Sequence, residues 1–187
     1  MQTFTKKVQI FALICLVIIS VSFIGYRIQN AITANQYQID LNLSQLTKQT
    51  QKELHCLAEN IYFEARNEPV NGMIGVAFVT MNRVNSGKYP STICDVVKQK
   101  INGTCQFSWW CESQPYQMSV SKVLTKENNP KYNEIMKIAL YFYANHEKIK
   151  DPTKGALYYH ADYVNPGWKN VVRTKQIGRH IFYEERV

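Results

Sequence analysis

Leu57–Val97 reads LAENIYFEARNEPVNGMIGVAFVTMNRVNSGKYPSTICDVV, and the remainder of the chain is best read outward from it. Leu54, Leu57, Ala58, Ile61 and Ala65 recur at helical spacing and predict a helix over Glu53–Asn67. Pro69 ends it, because the residue before a proline is steered out of the α region. Ile74, Ala77, Phe78, Met81 and Val84 repeat the spacing in a second helix, apolar enough for a core element, with Gly87 as its stop. Ser91 or Thr92 can cap a short third helix through Val97.

Towards the C-terminus, Asn102-Gly103 marks a turn, and CQFSWWC after it reads as irregular or hairpin-like. Pro130 opens another amphipathic helix, with Ile135, Ile138, Ala139, Phe142 and His146 along one side. Beyond Asp151-Pro152 come two β-like runs, ALYYHADYV and RHIFYEE, separated by NPGW and KQIG. Helices first and a small strand-rich tail give one α+β domain over residues 53–187. No internal repeat is visible.

Towards the N-terminus, residues 28–52 are rich in Gln, Asn and Thr and read as a polar spacer. Val8–Tyr26, VQIFALICLVIISVSFIGY, carries no charge and spans roughly 28 Å as a helix, close to the hydrocarbon thickness of a bilayer. Lys6 and Lys7 precede it, and Arg27 alone follows before a neutral stretch. The excess of positive charge before the run places the N-terminus in the cytoplasm and the domain on the periplasmic, extracytoplasmic side. Residues 1–27 are then an uncleaved signal anchor that attaches the protein to the membrane. A cleaved signal peptide is the alternative, and both mean export.

The 187 residues suit one domain plus extras, and 45% hydrophobic with 12% aromatic residues exclude a disordered or low-complexity chain. Of the net +8, Lys6, Lys7 and Arg27 account for +3, so the rest of the chain carries +5. That balance permits an anionic partner without choosing between nucleic acid, lipid and wall polymer. A basic run at Asn165–Tyr183 is the best nucleic-acid candidate, but export removes the domain from nucleic acid. Cys15 lies in the apolar run. Cys56, Cys94, Cys105 and Cys111 are left, an even set in a disulfide-permitting compartment, with three pairings open. Cys105 and Cys111 can close a short loop, and Cys56 and Cys94 would then staple two helix starts. With no C-x₂-C pair and no suitably spaced His, neither a zinc site nor any other metal site is expected. No cofactor motif is found either: HExxH, G-x-S-x-G and the glycine-rich phosphate and dinucleotide loops are all missing from the sequence.

The chemistry concentrates in Leu57–Pro69. Glu64 and Glu68 are four apart and share a helix face. Glu64 sits among Tyr62, Phe63 and Ala65 near the expected helix end. Apolar rings disfavour a charged carboxyl, which suits a general acid. Pairing of Glu64 with Arg66, and a solvated Glu68, are the plain alternatives. A nucleophilic Cys94 or Cys105 with His160 is conceivable, but the even cysteine count favours disulfides.

Taken with QFSWW, DPTKGALYYHADYVNPGW and RTKQIGRHIFY in the same order, the opening run resembles the SleB-type, spore-cortex-lytic family of cell-wall hydrolases over Glu53–Tyr183. The resemblance implies a lysozyme-like fold related to lytic transglycosylases, acting on peptidoglycan glycan strands. It puts the single catalytic Glu on Glu64 and a supporting acid on Glu68. It also implies a substrate groove lined by Gln106, Phe107, Ser108 and Trp109, with Tyr159 and His160 in the block returning towards it. The implied protein needs no cofactor and works as a monomer. Its bond is that between N-acetylmuramic acid and N-acetylglucosamine, cut by transglycosylation or by simple hydrolysis. A wall-binding protein without activity is a further alternative. Two departures stand out. Asn67 occupies the family's usual Gly position, where Asn also tolerates a left-handed turn, and Cys111-Glu112-Ser113 follows QFSWW instead of an Asp-Gly turn.

Overall fold

The computed structural model describes residues 13–30, 43–112 and 129–186. The chain divides into two compact units, Met1–Leu46 and Thr47–Val187. The first contains a helix, Leu13–Asn30, of 18 residues and mean hydropathy 1.6, with none of it buried, long and apolar enough to cross a membrane. Val8–Ala12 and residues 31–42 of the expected spacer lie outside the described residues.

In the second unit the elements are α1 (Lys48–Ala65), α2 (Val70–Asn85), α3 (Ile93–Val97), β1 (Lys100–Ile101), β2 (Thr104–Cys105), α4 (Ser108–Glu112), α5 (Pro130–Asn145), β3 (Tyr158–Ala161), β4 (Val171–Ile177) and β5 (His180–Glu185). The expected helices are all present, but α1 starts at Lys48 and not Glu53. Thr47 caps it by accepting from Thr50 N, a local start signal set in the polar stretch read as spacer. Thr92 caps α3, and Asn129 caps α5 with Pro130 in its first turn. Asn102 and Gly103 both take positive φ, 50° and 79°, as a two-residue hairpin turn between β1 and β2 requires.

Three expectations are corrected. QFSWW is not irregular: Ser108–Glu112 is a short helix, drawn tight by a disulfide between Cys105 and Cys111. Val171–Ile177 is a strand that the reading passed over. It lies at the edge of an antiparallel sheet of order β3-β5-β4 and is half-exposed along its length, so it lacks clean alternation of apolar and polar residues. Asn67, finally, has no positive φ; the turn after α1 closes with Glu68 N donating to Ala65 O at 2.9 Å.

The core joins α1, α2, α3 and α5 through Leu54, Leu57, Ile61, Met73, Val76, Val79, Val96, Val97, Ile135 and Phe142. The sheet closes on α2 through Phe182, Val79 and Ala156. The approach is close at Gly75, where a Cβ would lie 2.8 Å from the Phe182 ring. Cys56 pairs with Cys94, tying the middle of α1, not its start, to the first turn of α3. Beside that bond, buried Glu53 accepts from Cys94 N at 2.9 Å, so a carboxylate caps α3 from a neighbouring helix. Arg83, nearly fully buried, donates from Nε to Leu157 O at 2.8 Å and holds the chain entering β3 against α2.

Candidate active site

Glu64 stands on the last turn of α1, and Tyr159 reaches it from β3. The phenol donates to Glu64 Oε2 at 3.1 Å. Burial, reinforced by the Glu64 charge, raises the Tyr159 pKa well above that of a free phenol, so this hydroxyl stays a donor. The two residues are far apart in sequence and meet because β5 carries β3 onto the end of α1.

A cleft of about 300 Å³ opens at this point. Phe63, Glu64, Arg66, Asn67 and Glu68 form its α1 side, and Ala161, Tyr163, Arg179 and His180 form its sheet side. Two cations therefore border it. The Arg179 guanidinium lies 4.9 Å from the Tyr163 ring centroid and donates to Asp162 at 3.4 Å. Arg66 sits 5.2 Å over the Tyr62 ring.

Glu68 fastens the two sides together. Its Oε2 accepts from the backbone N–H of Arg179 at 2.9 Å, in the turn between β4 and β5. Gly178 in that turn has φ +56°, and any Cβ there would collide with the same carboxylate. A glycine at this turn is thus required both for backbone conformation and for space. Glu68 positions the sheet edge of the cleft through this bond.

His180 is the residue that sequence reasoning missed. It is 6% exposed, borders the cleft and packs edge-on to Tyr159 at 5.0 Å between ring centroids. Burial lowers its pKa, against the opposing pull of Glu68 and Asp162, and its Nδ1 is buried with no hydrogen-bond partner among the described residues. The ring is accordingly neutral near pH 7. The one available signal was the Gly178-Arg179-His180 turn, and nothing in the spacing links it to Glu64.

The other expected residues divide. Trp109 is buried, stacks on Phe63 at 4.6 Å and donates from Nε1 to Asn60 Oδ1 at 3.1 Å. Asn60, fully buried, donates in turn to Thr80 Oγ1 at 3.2 Å, so one polar relay links α4, α1 and α2. Phe107 is buried under Arg83, 5.1 Å from its guanidinium. Trp109 therefore backs the cleft through Phe63, and neither it nor Phe107 presents a face to solvent. Gln106 is half-buried, with its N–H donated to Gln99 O at 3.0 Å, and Ser108 is exposed at the start of α4. None of Gln106–Trp109 lines this cleft. His160 points away from it. Adjacent to Tyr159 on β3, it occupies the opposite face, where its Nε2 lies 2.9 Å from the Tyr183 hydroxyl.

Residues 67–183 match the family described as Cell Wall Hydrolase. The chain belongs to that family. The matched region takes in Glu68, Tyr159 and His180 and begins at Asn67, just past Glu64. Over 135 residues the chain is 30% identical to the spore cortex-lytic enzyme of Oceanobacillus iheyensis, covering 71% of this chain and 42% of that protein. It is 32% identical over 135 residues to the spore cortex-lytic enzyme of Bacillus cereus, covering 71% of this chain and 44% of that one. It thus spans less than half the length of these curated relatives. Among solved structures it is similar to the catalytic domain of the germination-specific lytic transglycosylase SleB from Bacillus anthracis, with a TM-score of 0.52 and 28% identity. That likeness covers 72% of this chain and 95% of that domain. Mixed helices with a small three-stranded sheet and a short hairpin are therefore the architecture of a SleB-type catalytic domain.

Proposed function

We propose that this cell wall hydrolase family member is a membrane-anchored enzyme that cuts the glycan strands of peptidoglycan, with Glu64 as its single general acid and base. The observation carrying this reading is the hydrogen bond from partly buried Tyr159 to Glu64 at the cleft. A carboxyl held in one orientation by a phenol, with a space beside it and cations at the rim, is equipped to deliver a proton to an anionic polymer. The lysozyme-like relationship and the peptidoglycan substrate rest on the family and on the SleB catalytic domain.

In the proposed cycle, neutral Glu64 protonates the oxygen between N-acetylmuramic acid and N-acetylglucosamine while the C1–O bond breaks. The C6 hydroxyl of the same muramoyl residue attacks the oxocarbenium-like C1, and Glu64 takes that proton back. The product ends in a 1,6-anhydro ring and the other strand in a free hydroxyl. A conventional glycosidase needs a second carboxylate about 5–9.5 Å away. Glu68 is already engaged at the Arg179 amide, which favours the single-acid route. The Leu13–Asn30 helix serves as anchor, with Lys6 and Lys7 on the cytoplasmic side, and the domain acts as a monomer outside the membrane.

The test is digestion of purified peptidoglycan by the detergent-solubilised chain, with mass spectrometry of the fragments. Anhydro ends are expected, whereas reducing ends identify hydrolysis of the same bond. Glu64→Gln is expected to lower turnover by at least about 10²–10⁴-fold, the usual contribution of a general acid. Activity surviving in Glu64→Gln removes this residue from the mechanism, and no fragments from the parent chain leave a wall-binding protein.

A further inference from the structure

The outer face of the three-stranded sheet carries a second opening, of about 490 Å³, on the side away from Glu64. It is bordered by Tyr158, Trp168, Lys169, Asn170, Glu185 and Arg186. Trp168 is 42% exposed. The indole is open to solvent on one side and yet firmly held on the other. Tyr158, His160 and Tyr183 surround it with ring centroids at 5.6, 5.6 and 5.8 Å. Those three are fixed themselves: His160 and Tyr183 stack and hydrogen-bond, and Tyr158 donates to Glu185 at 2.7 Å. The indole is therefore preorganised, so a ligand stacking on it loses little side-chain freedom.

The rim specifies the ligand's chemistry. Lys169 and Arg186 are exposed cations, and Asn170 adds an amide. The one carboxylate on the rim, Glu185, is occupied by Lys88 and the Tyr158 hydroxyl, which hold its pKa below the usual carboxylate value. A flat apolar ring with hydrogen-bonding groups and net positive charge suits a sugar with carboxylates beside it, on its lactyl group where that is free and otherwise on the peptide attached to it. We propose that this face is a second, non-catalytic binding site for acidic glycan, engaging muramoyl units of a strand other than the one being cut. The proposal rests on the reading of the chain as a peptidoglycan enzyme. Its use would be to hold the domain on an insoluble polymer between cuts, a gain in effective concentration without any new catalytic contact.

The experiment uses the full chain carrying Glu64→Gln in detergent, with retention measured on purified peptidoglycan sacculi. Trp168→Ala is expected to weaken retention roughly ten-fold and Trp168→Phe much less, because the ring is kept. Lys169→Glu, on an exposed bend outside the ring cluster, is expected to weaken it several-fold and decides the matter alone if Trp168→Ala unfolds. Retention on chitin, a neutral polymer, should be weaker than on sacculi. Retention on sacculi that is equal with and without Trp168 or Lys169 overturns the proposal. So does equal binding to chitin, or dependence on Trp168 confined to anionic lipid vesicles. Fragment release by the chain with Glu64 intact, followed in parallel, separates the two readings. No release with Trp168-dependent retention refutes the enzyme and keeps the binding face. Release with Trp168-independent retention does the reverse.

Discussion

Tyr159 shows what a single residue contributes at this site. It brings a hydroxyl whose proton is never in question and spends it on orienting Glu64. A hydrogen bond to a charged group is worth about 1.5–3 kcal/mol. Tyr159→Phe should therefore lower the thermal midpoint by a few degrees and, because Glu64 loses the group that orients it, lower kcat by roughly ten- to a hundred-fold with KM little changed. An unchanged kcat would show that Glu64 is oriented by something else. The place of Glu64 beside a cleft was legible from its position among rings near a helix end. Tyr159 was legible through family resemblance alone, and His180 was not legible, since its role depends on which face of β5 meets the helices. Asn60 was hidden for a different reason. It continues the buried stripe of α1, and the acceptor it offers has meaning only once Trp109 Nε1 arrives from another element.

Helices with strong periodicity and local start signals were read from the chain almost intact, because spacing, Thr92 and Pro130 all act locally. The misread elements are those held by something outside themselves. Short α4 lies within the loop closed by Cys105–Cys111, and β4 exists as an edge because β5 offers it hydrogen bonds. The two disulfides close loops of very different size, with sequence separations of 38 and 6. Loop-closure entropy then gives about 4 kcal/mol for Cys56–Cys94 and about 2 kcal/mol for Cys105–Cys111. Urea unfolding of the paired Cys→Ala variants should show the larger loss for Cys56/Cys94. Equal losses would mean that native contacts, and not chain entropy, dominate both.

At the scale of the whole molecule the chain divides into two compact units, with the boundary at Thr47. A chain beginning at Thr47 should melt within about 2 °C of the full chain in detergent, less than 1 kcal/mol for a domain of this size. It should also digest soluble glycan fragments at an undiminished rate. A drop in either would make the N-terminal unit part of the folded domain. Composition alone sets the apolar N-terminal run apart from the rest of the chain, since charge and apolar residues are distributed so unevenly. What composition did not carry was the arrangement around β3. Tyr159 faces Glu64, whereas its neighbours Tyr158 and His160 face Trp168. Parity along one strand thus assigns side chains to two faces at once. A one-residue insertion or deletion just ahead of Tyr158 that shifts the pairing with β5 would withdraw the phenol from Glu64 and unseat the support of Trp168 in a single genetic event. Length variation, usually the mildest change a loop can undergo, is here among the most damaging that this chain could acquire.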